Sequence, residues 1–291
     1  MEANIKTVSA VLNAPAPHMV GDGFRVHNFF PNGYKIKMSP FFLLDYNAKI
    51  EFSARNEPRG VGVHPHRGFE TVTIAYHGAV AHHDSAGNSG VIYPGDVQWM
   101  TAAGGILHKE YHEEVFSKKG GAFQMVQLWV NLPAKYKMSP PKYQDIRQSD
   151  MAKYELPDAS GVVEVIAGTY NGLNGSASTF SPLNLYNVRL KKGGLAKFNI
   201  PSSHNTGLLV IEGEIKVSGH IVASVDQFVH FNHDGLDIEV EGTVDSVVLV
   251  LSGEPINEQI TQYGPFLMNT PEEIQTAISD YNQGKFGYLE E

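Results

Sequence analysis

Seven of the thirteen histidines lie between His64 and His112, and four residues in that stretch have the types and spacing of a metal site. His64 and His66 flank Pro65; His108 and Glu110 flank Lys109, just after Gly104-Gly105. On a β-strand successive side chains point to opposite faces, so the members of each pair share one. Two such strands offer three imidazoles and one carboxylate to a single point. A divalent first-row metal accepts that set, and four ligands leave up to two open positions on an octahedral ion. Open positions suit chemistry rather than a structural metal.

Rivals to these four exist. His112 has the strand parity of His108 and Glu110 but stands roughly 6.6 Å further along, which ranks it below Glu110. Glu70, four residues after His66, fits better as a partner that orients an imidazole. His82-His83 falls in a loop-like region and is expected at the surface or at a pocket rim. Tyr76, Trp99, Met100, Phe123 and Trp129 are expected in the core, some of them lining the cavity. No Lys-Ser/Thr follows Gly104-Gly105 and no helix opens there, which excludes a phosphate-binding loop.

The elements that must position these residues are strands. From Glu70 onward short β-branched and aromatic runs alternate with turns at His77-Gly78, Ser85-Ala86-Gly87-Asn88 and Pro94-Gly95-Asp96, and Phe123 to Leu132 closes the series. Strands at this spacing without intervening helices indicate an antiparallel sandwich or barrel. The polar, proline-containing segment 134–157 is expected to be a linker between a first domain, 1–133, and a second, 158–291. The strand pattern resumes in the second half as a faint internal repeat. Aligning Gly213 with Gly78 sets Asn199 and Pro201 at the places of His64 and His66; aligning Asp226 with Asp96 sets Ile238 and Val240 at those of His108 and Glu110. The second copy is therefore expected to lack a metal, its cavity filled by apolar residues. Thr270-Pro271-Glu272-Glu273 starts a helix, with a Thr N-cap, Pro at the first helical position and acids in the first turn.

Composition agrees with this outline. At 291 residues the chain exceeds the usual size of one core, so two domains are the default. Charged residues make up 18%, below the average of roughly 25%, and 29 glycines favour strands and turns over helices. A net charge of -9 without long basic runs argues against direct nucleic-acid binding. The absence of cysteine rules out disulfides, thiolate ligands and a cysteine nucleophile. Neither a signal peptide nor a stretch of ~18 apolar residues occurs, so a cytoplasmic protein is expected, or a nuclear one in a eukaryote.

At its ligand-bearing segments the chain resembles the pirins, members of the cupin superfamily. The matching segments are His64-Pro-His-Arg-Gly-Phe-Glu-Thr-Val, Pro94-Gly-Asp-Val-Gln-Trp-Met-Thr-Ala, Gly105-Ile-Leu-His-Lys-Glu, Gln127-Leu-Trp-Val-Asn-Leu and Gly264-Pro-Phe-Leu-Met-Asn-Thr. The resemblance implies an all-β chain of two cupin barrels side by side with a short C-terminal helix, and Fe(II) in the first barrel on His64, His66, His108 and Glu110. Mn, Ni, Co, Cu or Zn are alternatives for that site. It implies a dioxygenase similar to the quercetinases among pirins, opening a flavonol ring with O2, with Glu110 as ligand and base. The alternative it carries is a regulatory module that binds a transcription factor or a metabolic enzyme. Two departures from the family pattern are His112, which has no counterpart, and His83-Asp84, which replaces an acidic pair.

Overall fold

The computed structural model describes residues 4–291. The chain forms two compact units, each with a seven-stranded and a four-stranded antiparallel sheet. In the first unit the large sheet runs, in spatial order, Lys142–Ile146, Val97–Thr101, Phe69–His77, Gly121–Asn131, Phe41–Phe52, Phe24–Phe30 and His18–Val20. Its small sheet runs Gly60–His66, Ile106–His112, Val80–Asp84 and Ser89–Ile92. The second unit repeats the plan. Its small sheet, Leu195–Asn199, Asp237–Gly242, Glu214–Val217 and Ile221–Ser224, shares the same order of first, fourth, second and third strand in sequence. The expected all-β, two-cupin fold is what the chain adopts.

Strand Ile106–His112 shows why the pattern was legible. Ile106, His108, Glu110 and His112 are buried while Leu107, Lys109 and Tyr111 are only half-buried, the alternation of a strand with one face turned inward. In the second unit Ile238 and Val240 occupy the corresponding strand and join an apolar interior with Phe198, Val210, Val229 and Val248. Asn199 is exposed there and donates to Asp237 Oδ1.

The expected domain boundaries need correction at three places. Val8–Asn13 does not belong to the first unit: it pairs with Gln227–Phe231 as an edge strand of the second unit's large sheet. The expected linker contains strands rather than bare coil; Lys142–Ile146 pairs with Val97–Thr101, and Ala152–Glu155 pairs with Gly161–Ala167. A strand added at an open edge satisfies backbone groups that a free linker leaves to water. The C-terminal segment Ile256–Glu291 belongs to the first unit, not the second.

Side chains on that segment explain its place. Helix Pro271–Asn282 starts as its sequence predicts, with Glu273 N donating to Thr270 Oγ1 and the Glu273 carboxylate accepting from Thr270 N. Ile274 and Ala277 form an apolar cluster with Phe266, Met268 and Phe286, against which Leu107 packs. Arg67, only 4% exposed, donates to Asp280 at 2.9 Å and lies over the Phe286 ring. Among the described residues no helix is long and apolar enough to cross a membrane.

Candidate metal centre

His64 and His108 face each other directly across the two strands that carry them. The ring centroids of His64, His66 and His108 lie 4.2 to 4.9 Å apart, and one nitrogen from each comes within 4.8 Å of the others. Both ring nitrogens of His108 are buried without a hydrogen-bond partner. Leaving such groups dry and unpaired costs on the order of 1–3 kcal/mol each, so the arrangement fits a cation that uses them. Burial, and after it the neighbouring His64, holds His66 well below the usual histidine range; burial and the surrounding imidazoles do the same to His108. Both are thus neutral at pH 7, the form that ligates a metal.

Turns fix the two ligand segments. His64 Nδ1 faces the Gly62 carbonyl at 2.8 Å, and His66 Nδ1 faces the Pro265 carbonyl at 3.3 Å. Backbone acceptors of this kind set the tautomer and leave the other nitrogen free for a metal. Gly68, two residues after His66, has φ +92° and lies so close to Leu267 that a Cβ would overlap its carbonyl oxygen. Buried Lys137 donates to Gly68 O, Leu267 O and Asn131 Oδ1 at 2.6 to 2.7 Å. Burial pushes its pKa down to about 7, yet these three bonds use all three hydrogens of the ammonium form.

Glu110 shares the buried face of His108, as parity sets it, but its partner on the His64 strand is shifted. The register of its strand shifts after His108: His108 opposes His64, but Glu110 opposes Val61. Strand Gly60–His66 thus carries one extra residue, a bulge beside which Val61 packs against the apolar cluster, while Glu110 keeps a regular register opposite His82 on its other side. Glu110 is grouped with His108 and His82, whose ligand atoms come within 4.8 Å of one another. Thr73 Oγ1 donates to its Oε1 at 3.1 Å, and Gln127 Nε2 to its Oε2 at 2.8 Å.

Thr73 and Gln127 belong to a polar row that sequence reasoning missed. Asn28, Asp45, Gln127, Thr73 and Gln98 are direct cross-strand neighbours on five adjacent strands of the large sheet. Asn28 donates to Asp45 at 2.7 Å; burial raises the Asp45 carboxyl above its ordinary range, and that bond opposes the rise. The signal was available: four of the five stand between apolar neighbours, as in Leu44-Asp45-Tyr46 and Val126-Gln127-Leu128. Such a residue in a buried strand needs a partner, and here the partners converge on the site.

The rival residues fall into place. His82 is fully buried on strand Val80–Asp84, not at a rim, because that strand lies inside the small sheet between its neighbours. His83 points to the other face and meets the Tyr111 hydroxyl at 3.0 Å. His112 is buried among Phe24, Phe52, Phe116 and Phe123 and faces the Gly23 carbonyl at 2.8 Å, away from the triad. Glu70 accepts from Thr101 Oγ1 at 2.7 Å rather than from an imidazole, and burial raises its pKa to about 7. Trp99, Met100 and Phe123 are core residues, whereas Trp129 packs its ring 5.3 Å from that of His66.

Beside the centre is a cavity of about 30 Å³ lined by Phe24, Val26, Met125, Asp45, His64 and Glu110, with Val20, Val61 and Gln127 around them. The hairpin joining His18–Val20 to Phe24–Phe30 supplies part of this wall. Its turn is held by Asp22, which accepts from Gly60 N at 2.8 Å and from Arg55.

The Pirin family matches residues 23–130, and the Pirin C-terminal cupin domain matches residues 185–287. A Pseudomonas aeruginosa protein provisionally named quercetin 2,3-dioxygenase is 47% identical over 283 residues, covering 97% of this chain and 99% of its own length. Pirin-like protein 2 of Arabidopsis thaliana is 38% identical over 277 residues, covering 92% of this chain and 82% of its own. The crystal structure of quercetin 2,3-dioxygenase from Acinetobacter baumannii superposes with a TM-score of 0.92 at 45% identity, covering 98% of this chain and all of its own. With a family match in each half and a relative aligned along 97% of its length, the chain belongs to the pirin family of two-domain cupins.

Proposed function

We propose that this protein is a metal-dependent dioxygenase that opens a flavonol-type ring with O2, with His64, His66, His108 and Glu110 as its metal ligands. The observation that carries the reading is the convergence of three imidazoles, with both His108 nitrogens unpartnered, beside a buried carboxylate. The quercetin 2,3-dioxygenase names of its relatives support the substrate class.

A bound divalent iron supplies Lewis acidity toward a hydroxyl and electron exchange with O2. The residues do the rest. Glu110 takes the proton of the substrate's 3-hydroxyl; each of its oxygens accepts one bond, from Thr73 or Gln127, and keeps a lone pair for that proton. Phe24, Val26, Val61 and Met125 offer an apolar wall to a flat ring and exclude water from it.

The 30 Å³ cavity holds about one water molecule, whereas a site for a ligand of this size has a volume of roughly 300 Å³ or more. Turnover therefore requires the hairpin around Asp22 to move outward. The same small cavity favours a second reading: a module that binds a protein partner, a transcription factor or a metabolic enzyme, without turnover.

Anaerobic reconstitution with Fe(II), followed by metal analysis and oxygen uptake on adding quercetin, separates the two. Uptake that needs both iron and flavonol, and is lost in Glu110→Gln, supports the dioxygenase. One bound iron with no uptake across flavonols and metals overturns it in favour of the module.

A further inference from the structure

His108 stands between two sets of donors. On one side are His64 and His66; on the other are His82 and Glu110, again with ligand atoms within 4.8 Å of one another. The first set is three imidazoles. The second, His82, His108 and Glu110, is two imidazoles and one carboxylate, a combination that holds a divalent first-row metal with open positions. Every member of the second set is buried, with exposures of 0%, 0% and 4%. An imidazole has two nitrogens, and neither nitrogen of His108 is taken by a hydrogen bond.

We propose that His82, His108 and Glu110 form a second, inner seat for a divalent first-row cation, overlapping the seat of the proposed function through His108 and Glu110. The surroundings are those of a ligand. His82 Nε2 faces the buried carboxylate of Asp84 at 3.5 Å, and Asp84 is itself fixed by Asn88 and by the backbone N–H groups of Ala86 and Asn88. A carboxylate behind one ring nitrogen fixes the tautomer and directs the other nitrogen to a metal. That other nitrogen, Nδ1, faces the Gln98 amide at 2.7 Å, and the Gln98 Oε1 has no partner of its own. Gln98 is thus the group a cation displaces. Glu110 contributes the lone pairs its bonds from Thr73 and Gln127 leave free. The ring of Tyr143, stacked 5.1 Å from that of His82, closes the far side.

The inner seat does not depend on the dioxygenase reading, and its test reads metal rather than turnover. In the full chain, the double variant His64→Ala/His66→Ala removes two of the three outer imidazoles and leaves the inner set whole. Titrated with Co(II), it is expected to retain one equivalent with visible d–d absorption, and to lose that equivalent on adding His82→Gln. A double variant that binds no cobalt overturns the proposal, as does cobalt binding unchanged by His82→Gln. Circular dichroism checks that each variant is folded. If His82→Gln is not, anomalous scattering from cobalt-soaked crystals of the unaltered protein decides: cobalt bonded to His82, His108 and Glu110 supports the seat, and cobalt bonded without His82 overturns it.

Discussion

His64 lies directly opposite His108 on the neighbouring strand, with ring centroids 4.2 Å apart, while Glu110, two residues on, lies opposite Val61. The three histidines form one group across the first pairing, while Glu110 lies opposite His82 on the strand at its other side. Removing a single imidazole from the group should therefore weaken metal binding. His66→Ala is expected to bind iron more weakly in a titration, the remaining equivalent resting on His82, His108 and Glu110; an affinity equal to that of the unaltered protein would remove His66 from the ligand set.

Gln127 acts through Glu110. Replacing it with Leu takes away the bond to Oε2 and leaves the carboxylate free to swing. Losing such a supporting bond costs roughly 10–100-fold in metal affinity or activity. Metal titration and oxygen uptake on Gln127→Leu check this, and values equal to the unaltered protein would show that Thr73 alone suffices.

Glu70 makes stability depend on pH in a direction opposite to that of most carboxylates. Its pKa is raised from 4.5 to about 7 by burial, against the bond from Thr101. Between those values the folded chain keeps a proton that the unfolded chain has released. The contribution is therefore fully present below pH 4.5 and is lost as pH rises through about 7. A shift of that size corresponds to on the order of 3 kcal/mol. Urea unfolding of Glu70→Gln across pH 4 to 9 should show a shallower loss of stability toward alkaline pH; an unchanged slope would count against a neutral Glu70.

Lys137 binds two backbone carbonyls and an amide oxygen in the core. Lys137→Met leaves all three acceptors dry. The expected loss is about 3 kcal/mol or more in denaturant unfolding. Because Gly68 O is one of those acceptors, weaker iron binding should accompany it.

Asp22 fastens the hairpin that walls the 30 Å³ cavity. Asp22→Ala should lower KM for a flavonol while leaving metal content unchanged, since Asp22 is no ligand. Steady-state oxygen uptake measures it, and a KM that stays the same would move the entrance elsewhere.

The parts of this protein that depend on neighbours along the chain are legible from its residues alone. The pairs His64/His66 and His108/Glu110 are legible because strand parity is local, and helix Pro271–Asn282 because its cap is. The internal repeat, with Ile238 and Val240 where ligands stood, follows from the same alternation. Register and partnership follow from pairings between strands distant in the chain. One extra residue near Gly62 sets Glu110 opposite Val61 rather than Gly62, and nothing in the local pattern announces it. Val8–Asn13 and the C-terminal helix take their places from pairings with residues some two hundred positions away. His82, Asp45, Gln98 and Gln127 become parts of one site only when strands distant in sequence lie side by side. A polar residue in an apolar run signals that some partner is required; which partner is fixed by the sheet.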